Sequence, residues 1–178
     1  KKLGIQFGLH KRRRTALLVQ RTARAERRAR RIRFLRGAAS PASRARVTAA
    51  STYPVATYGG GYWGYADHMV RRLRRMAVLA VWAPARYRSS SLLFLLKAWG
   101  LRDPAVLAHQ QPIVTWASLL WNGRYETHKL DRVLEWAKER LRVPQPWRRC
   151  CGPTQAYILT CQRLGWTPVS ATVIEMDN

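Results

Sequence analysis

The two side chains best suited to chemistry in this sequence, Asp67 and His68, are neighbours in the tetrapeptide Tyr65-Ala66-Asp67-His68. Two carboxylates in such a place could hold the pair of metal ions used in phosphoryl transfer, which lie about 3.5 to 4 Å apart. Because the second position here is a histidine, this segment offers a single carboxylate. An arginine-studded helical pattern follows directly, and it predicts that Asp67 is the N-cap of a helix rather than a metal ligand.

Other residue patterns typical of catalysis or metal binding are missing from the sequence. The glycine run at 59–61 lacks the lysine and the hydroxyl side chain of a phosphate-binding loop. The four histidines are scattered singly, and they form neither a triad with a serine nor a zinc pattern with the cysteines Cys150, Cys151 and Cys161. An odd number of cysteines, two of them adjacent, indicates reduced thiols in an intracellular protein. We therefore predict that this chain is not an enzyme and contains no cofactor or metal.

Positive charge is concentrated at the beginning of the sequence. Sixteen of the first fifty residues are Lys or Arg and Glu26 is the one acidic residue among them, whereas the whole chain of 178 residues has a formal net charge of +24. A segment with this charge is expected to bind a phosphate backbone or an anionic membrane surface, because binding releases counterions. GC-rich codon usage would also enrich arginine, but it does not explain why acidic residues are scarce before position 50 and appear later.

The basic residues lie on segments of helical periodicity. Apolar residues recur every three, four or seven positions from about Thr15 to Arg36, and again between Asp67 and Pro84, while arginines occupy the other faces. The apolar positions are Leu18, Ala25, Ala29, Ile32 and Leu35 in the first helix and Met69, Val70, Leu73, Ala77, Ala80 and Val81 in the second. Each helix can therefore pack on one side and face anions on the others.

The remaining patterns complete a mainly α-helical bundle of about six or seven helices with short β pieces at both ends. Further helices are predicted over 40–52, 89–100, 103–123, 127–142 and 154–164, and the β pieces over 1–9 and 169–176. The helix over 40–52 is expected to begin near Ser40 or Ser43, and Asp103 followed by Pro104 is a cap-and-first-turn pattern for the helix over 103–123. Pro54 is expected to break or kink the second helix and the glycines at 59–61 to form a flexible turn. Gly37 is expected to end the first helix in a left-handed conformation.

Two short segments carry a pattern that resembles a known family. They are KKLGI at 1–5 and PVATYGGGYW at 54–63. The first is similar to the Lys-x-Leu-Gly-Val/Ile element that follows the palm in reverse transcriptases of non-LTR (LINE-like) retrotransposons, a hairpin called the primer grip. The second is similar to the Pro-Val-x-x-Tyr-Gly-x-x-x-Trp signature of the helices after the palm. The likeness extends to about Ala83, but Gly61 stands where the family often has an acidic residue.

The resemblance implies that this chain begins where the palm ends. The carboxylates that hold Mg and perform nucleotide transfer would then precede Lys1 in a longer polypeptide, an RNA-directed DNA polymerase. The tetrapeptide at 65–68 differs by one residue from the Tyr-Ala-Asp-Asp metal-binding box of these enzymes, yet the box belongs to a hairpin between apolar strands. The chain would be a primer-grip and thumb fragment that holds RNA–DNA hybrid or duplex, with RNA, DNA and the upstream palm as partners and no membrane.

The resemblance up to about Ala83, together with the helical and proline patterns beyond it, divides the chain into four regions. They are the end of the palm and primer-grip strand (1–10), a thumb-like basic helical region (11–83), a helical extension (84–143), and a linker, short helix and start of a strand-containing segment (144–178).

The residues expected to carry this function are mostly arginines, because a helix that tracks an A-form-like hybrid contacts phosphates rather than bases. The predicted nucleic-acid contacts are Lys11, Arg12, Arg13, Arg14, Arg24, Arg27, Arg28, Arg31, Arg71, Arg72, Arg74 and Arg75. By resemblance, Leu3 and Gly4 belong to the primer-grip turn. Pro54, Tyr58, Gly59 and Trp63 are expected to be structural, as a kink and an aromatic anchor between helices.

Three other functions stay open at this point. The chain could be a basic structural RNA-binding protein of a ribonucleoprotein, such as a ribosomal one, or the sequence could be a decayed, non-functional retroelement remnant. A membrane-surface protein is a third hypothesis, although the Ala-rich stripe of the first helix has few large apolar side chains to insert. The apolar runs at 76–84 and 92–96 are shorter than the roughly 20 residues that cross a bilayer, and a signal-peptide pattern is missing. A nuclear or cytoplasmic location is predicted.

Overall fold

The computed structural model describes residues 16–82, 89–96, 103–123 and 125–176, and this part of the chain is mainly helical. The helices are α1 (Ala16–Phe34), α2 (Pro41–Val47), α3 (Tyr53–Thr57), α4 (Gly60–Trp63), α5 (Asp67–Val81), α6 (Ser90–Leu96), α7 (Pro104–Trp121), α8 (Thr127–Leu141) and α9 (Pro153–Arg163). The strands β1 (Trp166–Pro168) and β2 (Ile174–Met176) pair antiparallel. The predicted helical fold class is confirmed, while the predicted strand at 1–9 lies outside the described residues.

The chain forms two compact units, and each is assembled from separate stretches of sequence. Of the described residues, those within 16–58 and 66–107 form one unit, which we call the arginine-rich unit. Those within 59–65 and 108–176 form the other, which we call the C-terminal unit.

Helix α1 buries the stripe that its sequence predicts. Leu18, Ala25, Ala29 and Ile32 are buried, and α1 packs against α3 and α5 of the same unit. Alanines at the contact let the helix backbones approach closely. Two details of the prediction, the burial of Leu35 and the left-handed conformation of Gly37, are wrong. The chain tightens into a 3-10 turn at Leu35–Gly37, which rotates Leu35 off the stripe and leaves it exposed. Gly37 ends this turn without a positive φ angle.

The segment from Pro41 to Thr57 is one continuous helical run, so Pro54 does not break the helix, which was one of the two effects predicted for it. Ser40 caps the run by accepting a hydrogen bond from the Ser43 backbone N–H at 3.1 Å. The turn just before the proline, Thr48–Thr52, is π-helical. A proline has no N–H and its ring clashes with the carbonyl four residues earlier. The wider turn accommodates both defects while the chain stays helical.

Gly60 and Gly61 are closely packed rather than part of a flexible turn. Gly59 has a φ angle of 79° and is the N-cap of α4, which contains Gly60 and Gly61. A Cβ atom on Gly60 would meet the Gln111 and Tyr65 side chains, and one on Gly61 would meet the Thr115 side chain. These two positions therefore need glycine because neighbouring side chains occupy the space, not because the chain turns there.

Helix α5 has the buried face that its periodicity predicts. All six predicted apolar positions are buried, and Met76 and Val78 widen the face. The N-cap of the helix is Ala66, so the prediction that Asp67 holds this position is wrong by one residue. Asp67 lies in the first turn instead, where its negative charge interacts favourably with the positive end of the helix dipole.

The core of the C-terminal unit forms between α7, α8, α9 and the β-hairpin. The Trp116 ring stacks on the Tyr157 ring with a centroid separation of 5.0 Å, and its Nε1 donates to the Ala171 carbonyl at 3.0 Å. The Asp131 carboxylate accepts a hydrogen bond from the Ala171 backbone N–H at 2.6 Å. The predicted strand over 169–176 is wrong in extent: only 174–176 is a strand, because the chain turns before it to pair with β1.

Candidate nucleic-acid interface

Arginines cover the side of α1 opposite its buried stripe. At 100° per residue, Arg24, Arg27 and Arg31 point away from the stripe, and all three are exposed. None of them pairs with another residue within the described ranges. Because all three are exposed and unneutralised, this face can give its charge to an anion outside the protein.

Two other arginines of α1 bind the neighbouring helix. Arg28 donates through Nη1 to the Ser51 carbonyl at 2.9 Å, at the π-helical turn. Arg21 donates through Nη1 to the Tyr58 carbonyl at 3.3 Å, and its guanidinium lies 4.4 Å from the centre of the Tyr58 ring. Arg28, predicted to contact a phosphate, thus makes a contact within the protein.

Helix α5 divides its arginines between exposed and paired positions. Arg71 and Arg75 are exposed and unpaired as far as the structure describes the chain. Arg72 forms a two-point ion pair with Glu26 of α1, with Nε–Oε1 and Nη2–Oε2 distances of 2.5 and 2.8 Å. This hydrogen bonding lowers the pKa of the Glu26 carboxyl and raises that of the Arg72 guanidinium. The pair joins α1 to α5.

Arg74 is also engaged inside the arginine-rich unit. Its Nε and Nη2 donate to the Asp103 carboxylate at distances from 2.6 to 3.0 Å, and Nη1 donates to Ser91 Oγ at 3.2 Å. Asp103 Oδ1 also accepts from the Ala105 N–H at 2.9 Å, as its predicted capping role requires. Of the four α5 arginines predicted to contact phosphates, two are thus neutralised by carboxylates of the protein.

A groove of about 380 Å³ lies between α1 and α5. Its lining contains both polar and apolar side chains. The lining residues are Glu26, Arg30, His68, Arg72, Arg75, Met76 and Leu79. Arg30 was not among the predicted contacts, and its position four residues after Glu26, on the same edge of α1, is the sequence signal that points to it.

Arg44 is a buried arginine that the sequence patterns did not reveal. Its side chain is 5% exposed, and Nε and Nη1 have no hydrogen-bond partner among the described residues. Burial and the nearby positive charge of Arg36 lower the pKa of its guanidinium. A buried donor without an acceptor costs free energy, so we expect Arg44 to destabilise the arginine-rich unit.

We expect Arg44→Met to raise the free energy of unfolding by about 1 to 3 kcal/mol, because methionine keeps the apolar stem and removes the unsatisfied donors. Chemical denaturation measures the change. The control is Arg46→Met at an exposed neighbouring position, which we expect to change stability by less than about 0.5 kcal/mol. A loss of stability in Arg44→Met would mean that the guanidinium has an acceptor after all.

The other predicted site residues fall in different places. Lys11, Arg12, Arg13, Arg14, Leu3 and Gly4 lie outside the described residues. Pro54 is exposed in the first turn of α3, Tyr58 is held by Arg21, and Trp63 is buried in the C-terminal unit. These environments suit the structural roles expected for Pro54, Tyr58 and Trp63, which stay predictions.

In the part of the chain that the structure describes, His, Cys, Asp and Glu side chains do not gather in threes or more as a metal site would require. Burial raises the pKa of the Cys161 thiol to about 11, which keeps it protonated at neutral pH. Among the described helices, none combines the length and hydropathy that a bilayer crossing requires.

Comparisons with protein-family models, curated proteins and solved structures found no match to this chain.

Proposed function

We propose that the chain binds double-stranded nucleic acid, RNA–DNA hybrid in particular, through the phosphates and with little regard to sequence. The observation that carries this proposal is a set of five exposed arginines on two packed helices, none of them paired within the described residues. They are Arg24, Arg27 and Arg31 on α1 and Arg71 and Arg75 on α5. We call this set the basic face.

The chemistry of the basic face favours phosphates over base edges. Arginine forms two-point hydrogen bonds with phosphate oxygens, and its charge persists at all physiological pH values. The deep groove of an A-form helix is too narrow for side chains to read, so contacts along its backbone are indifferent to sequence. The ion pair of Arg72 with Glu26 supports this role by fixing α1 and α5 against one another.

In this proposal, the chain is the primer-grip and thumb region of a retroelement reverse transcriptase, and it holds the duplex while another part of the polypeptide performs the chemistry. Mg would be bound by that other part. The RNA and DNA partners and the nuclear or cytoplasmic location belong to the same proposal.

Salt dependence tests the proposal. If each of the five arginines neutralises one phosphate, the logarithm of the binding constant falls with the logarithm of salt concentration with a slope of about −4 or steeper. Fluorescence anisotropy of a labelled hybrid, titrated at several salt concentrations, measures this slope. Hybrids of unrelated sequence should give the same affinity. A slope near zero, or strong preference for one folded RNA, would contradict the proposal, and the second result would favour a ribonucleoprotein component.

A further inference from the structure

The groove between α1 and α5 shares Arg75 with the basic face and adds apolar side chains that the basic face lacks. Met76 and Leu79 supply an apolar wall, while Arg30 and Arg75 bring positive charge and His68 contributes a flat ring. Arg72 and Glu26 also line the groove but neutralise one another through their two hydrogen bonds. The net charge of the groove is therefore positive, and Arg30 and Arg75 are the arginines left for a ligand.

The groove is larger than a bare phosphate needs. Its volume of about 380 Å³ falls within the range of roughly 300 to 1,000 Å³ that is usual for small-molecule sites. A water molecule occupies about 30 Å³ in the liquid, and the volume of an inorganic phosphate is on the order of that of a few water molecules. A phosphate alone would thus leave most of the space, and the apolar wall, without a partner.

A ligand that matches both parts of the groove has an anionic end and a flat, largely apolar body. A nucleoside monophosphate unit has this construction, because its phosphate can pair with two arginines while its base covers apolar side chains. A stacked base pair in a duplex cannot enter such a groove, since its base faces are covered by neighbouring pairs. The unit must therefore be free, or unpaired at the end of a strand.

We propose that the α1–α5 groove is a nucleotide site that holds one unpaired nucleoside monophosphate, with its phosphate at Arg30 and Arg75 and its base against Met76 and Leu79. This inference rests on the proposed function, because it places the end of a strand next to the basic face. The basic face holds the duplex and the groove takes the nucleotide that extends beyond it.

Binding of adenosine 5′-monophosphate to the full chain, measured by isothermal titration calorimetry, tests the site. We expect saturable one-to-one binding, with inorganic phosphate and adenosine each at least about tenfold weaker because each lacks one part of the ligand. Arg30→Gln should weaken binding of the monophosphate by about tenfold or more, and Arg30→Lys by less, since it keeps the charge and loses the two-point geometry. Equal affinity for phosphate and the monophosphate would overturn the proposal.

The matched control is Arg31→Gln, which removes the neighbouring charge on the basic face and outside the groove. It should leave the affinity for the monophosphate within about twofold while it weakens binding to blunt hybrid. Circular dichroism establishes that the variants are folded. If Arg30→Gln and Arg31→Gln lower the affinity for the monophosphate equally, the effect comes from the net charge of the chain and the groove is not the site.

A second arm distinguishes a free nucleotide from the end of a strand. A hybrid with one unpaired nucleotide should bind more tightly than a blunt hybrid if the groove takes strand ends, and Arg30→Gln should abolish this difference. If the free monophosphate binds but the overhang has no effect, the site is one for free nucleotides. If the chain binds duplex in a salt-dependent way but binds neither the free monophosphate nor the overhang hybrid more tightly than blunt hybrid, the nucleotide site is overturned and the proposed function stays intact. If the original chain did not bind duplex at all, the proposed function would be overturned.

Discussion

Replacing all five arginines of the basic face with glutamine is expected to weaken binding to RNA–DNA hybrid by about a hundredfold to a thousandfold at about 0.1 M salt. The variant contains Arg24→Gln, Arg27→Gln, Arg31→Gln, Arg71→Gln and Arg75→Gln. Each lost phosphate contact also removes its released counterion, so the salt slope should become less steep by about 4. Anisotropy titrations of the original chain and the variant, in parallel salt series, measure both changes.

The matched control removes the same number of charges from the C-terminal unit, at exposed positions. It contains Lys129→Gln, Arg132→Gln, Arg142→Gln, Arg148→Gln and Arg149→Gln. We expect this control to lose about tenfold or less in affinity, through the general decrease in net charge. Equal losses in the two variants would show that hybrid binds to the net charge of the chain, and the basic face would lose its assigned role.

Gly61→Val is expected to destabilise the C-terminal unit by about 3 kcal/mol or more, the largest effect on stability that we expect from a single substitution. A Cβ atom at position 61 would collide with the Thr115 side chain and lie 3.2 Å from the Gln111 carbonyl oxygen. The carbonyl belongs to the α7 backbone and cannot move aside as a flexible side-chain end can. Chemical denaturation followed by tryptophan fluorescence measures the loss.

Gly37→Val is the matched control for this prediction. Gly37 has no atom within 4 Å of a built Cβ among the described residues, and its φ angle is not positive. We expect a loss of about 1 kcal/mol or less there. If both valine variants were equally stable, the glycines at 59–61 would form a flexible turn, as the sequence alone predicts. The close packing of α4 around Gly61 would then be contradicted.

Periodicity predicted the parts of the fold that depend on neighbouring residues. The buried stripes of α1 and α5 follow from apolar residues spaced by about one helical turn, and such a pattern is visible without tertiary information. The cap at Ser40 and the Asp103-Pro104 start of α7 were visible for the same reason, since a capping residue acts on the turn beside it.

Contacts between distant residues could not be predicted in this way. Glu26 and Arg72 are 46 positions apart, and Arg74 and Asp103 are 29 apart, so their pairing depends on how the helices pack. A basic residue on an exposed helix face has the same sequence pattern whether it meets a carboxylate of the protein or a phosphate outside it. For this reason the sequence predicts phosphate contacts for Arg72 and Arg74 and does not indicate Arg30 and its groove.

The sequence pattern alone also leaves open what proline and glycine do to the backbone. Pro54 ends a helix only if the preceding turn keeps α-helical spacing, and here that turn is π-helical. Gly60 and Gly61 resemble a turn in sequence because glycine serves both flexible turns and close packing, and the side chains that decide between them come from α7.

Arginine footprinting tests the central claim most directly, because it reports on individual guanidinium groups. The chain is treated with an arginine-specific dicarbonyl reagent, alone and saturated with hybrid, and the modified positions are identified by mass spectrometry. We predict that hybrid protects Arg24, Arg27, Arg31, Arg71 and Arg75, whereas Arg132, Arg148 and Arg149 of the C-terminal unit stay reactive. Protection of the C-terminal arginines while those five stay reactive would contradict the proposal that α1 and α5 hold the duplex.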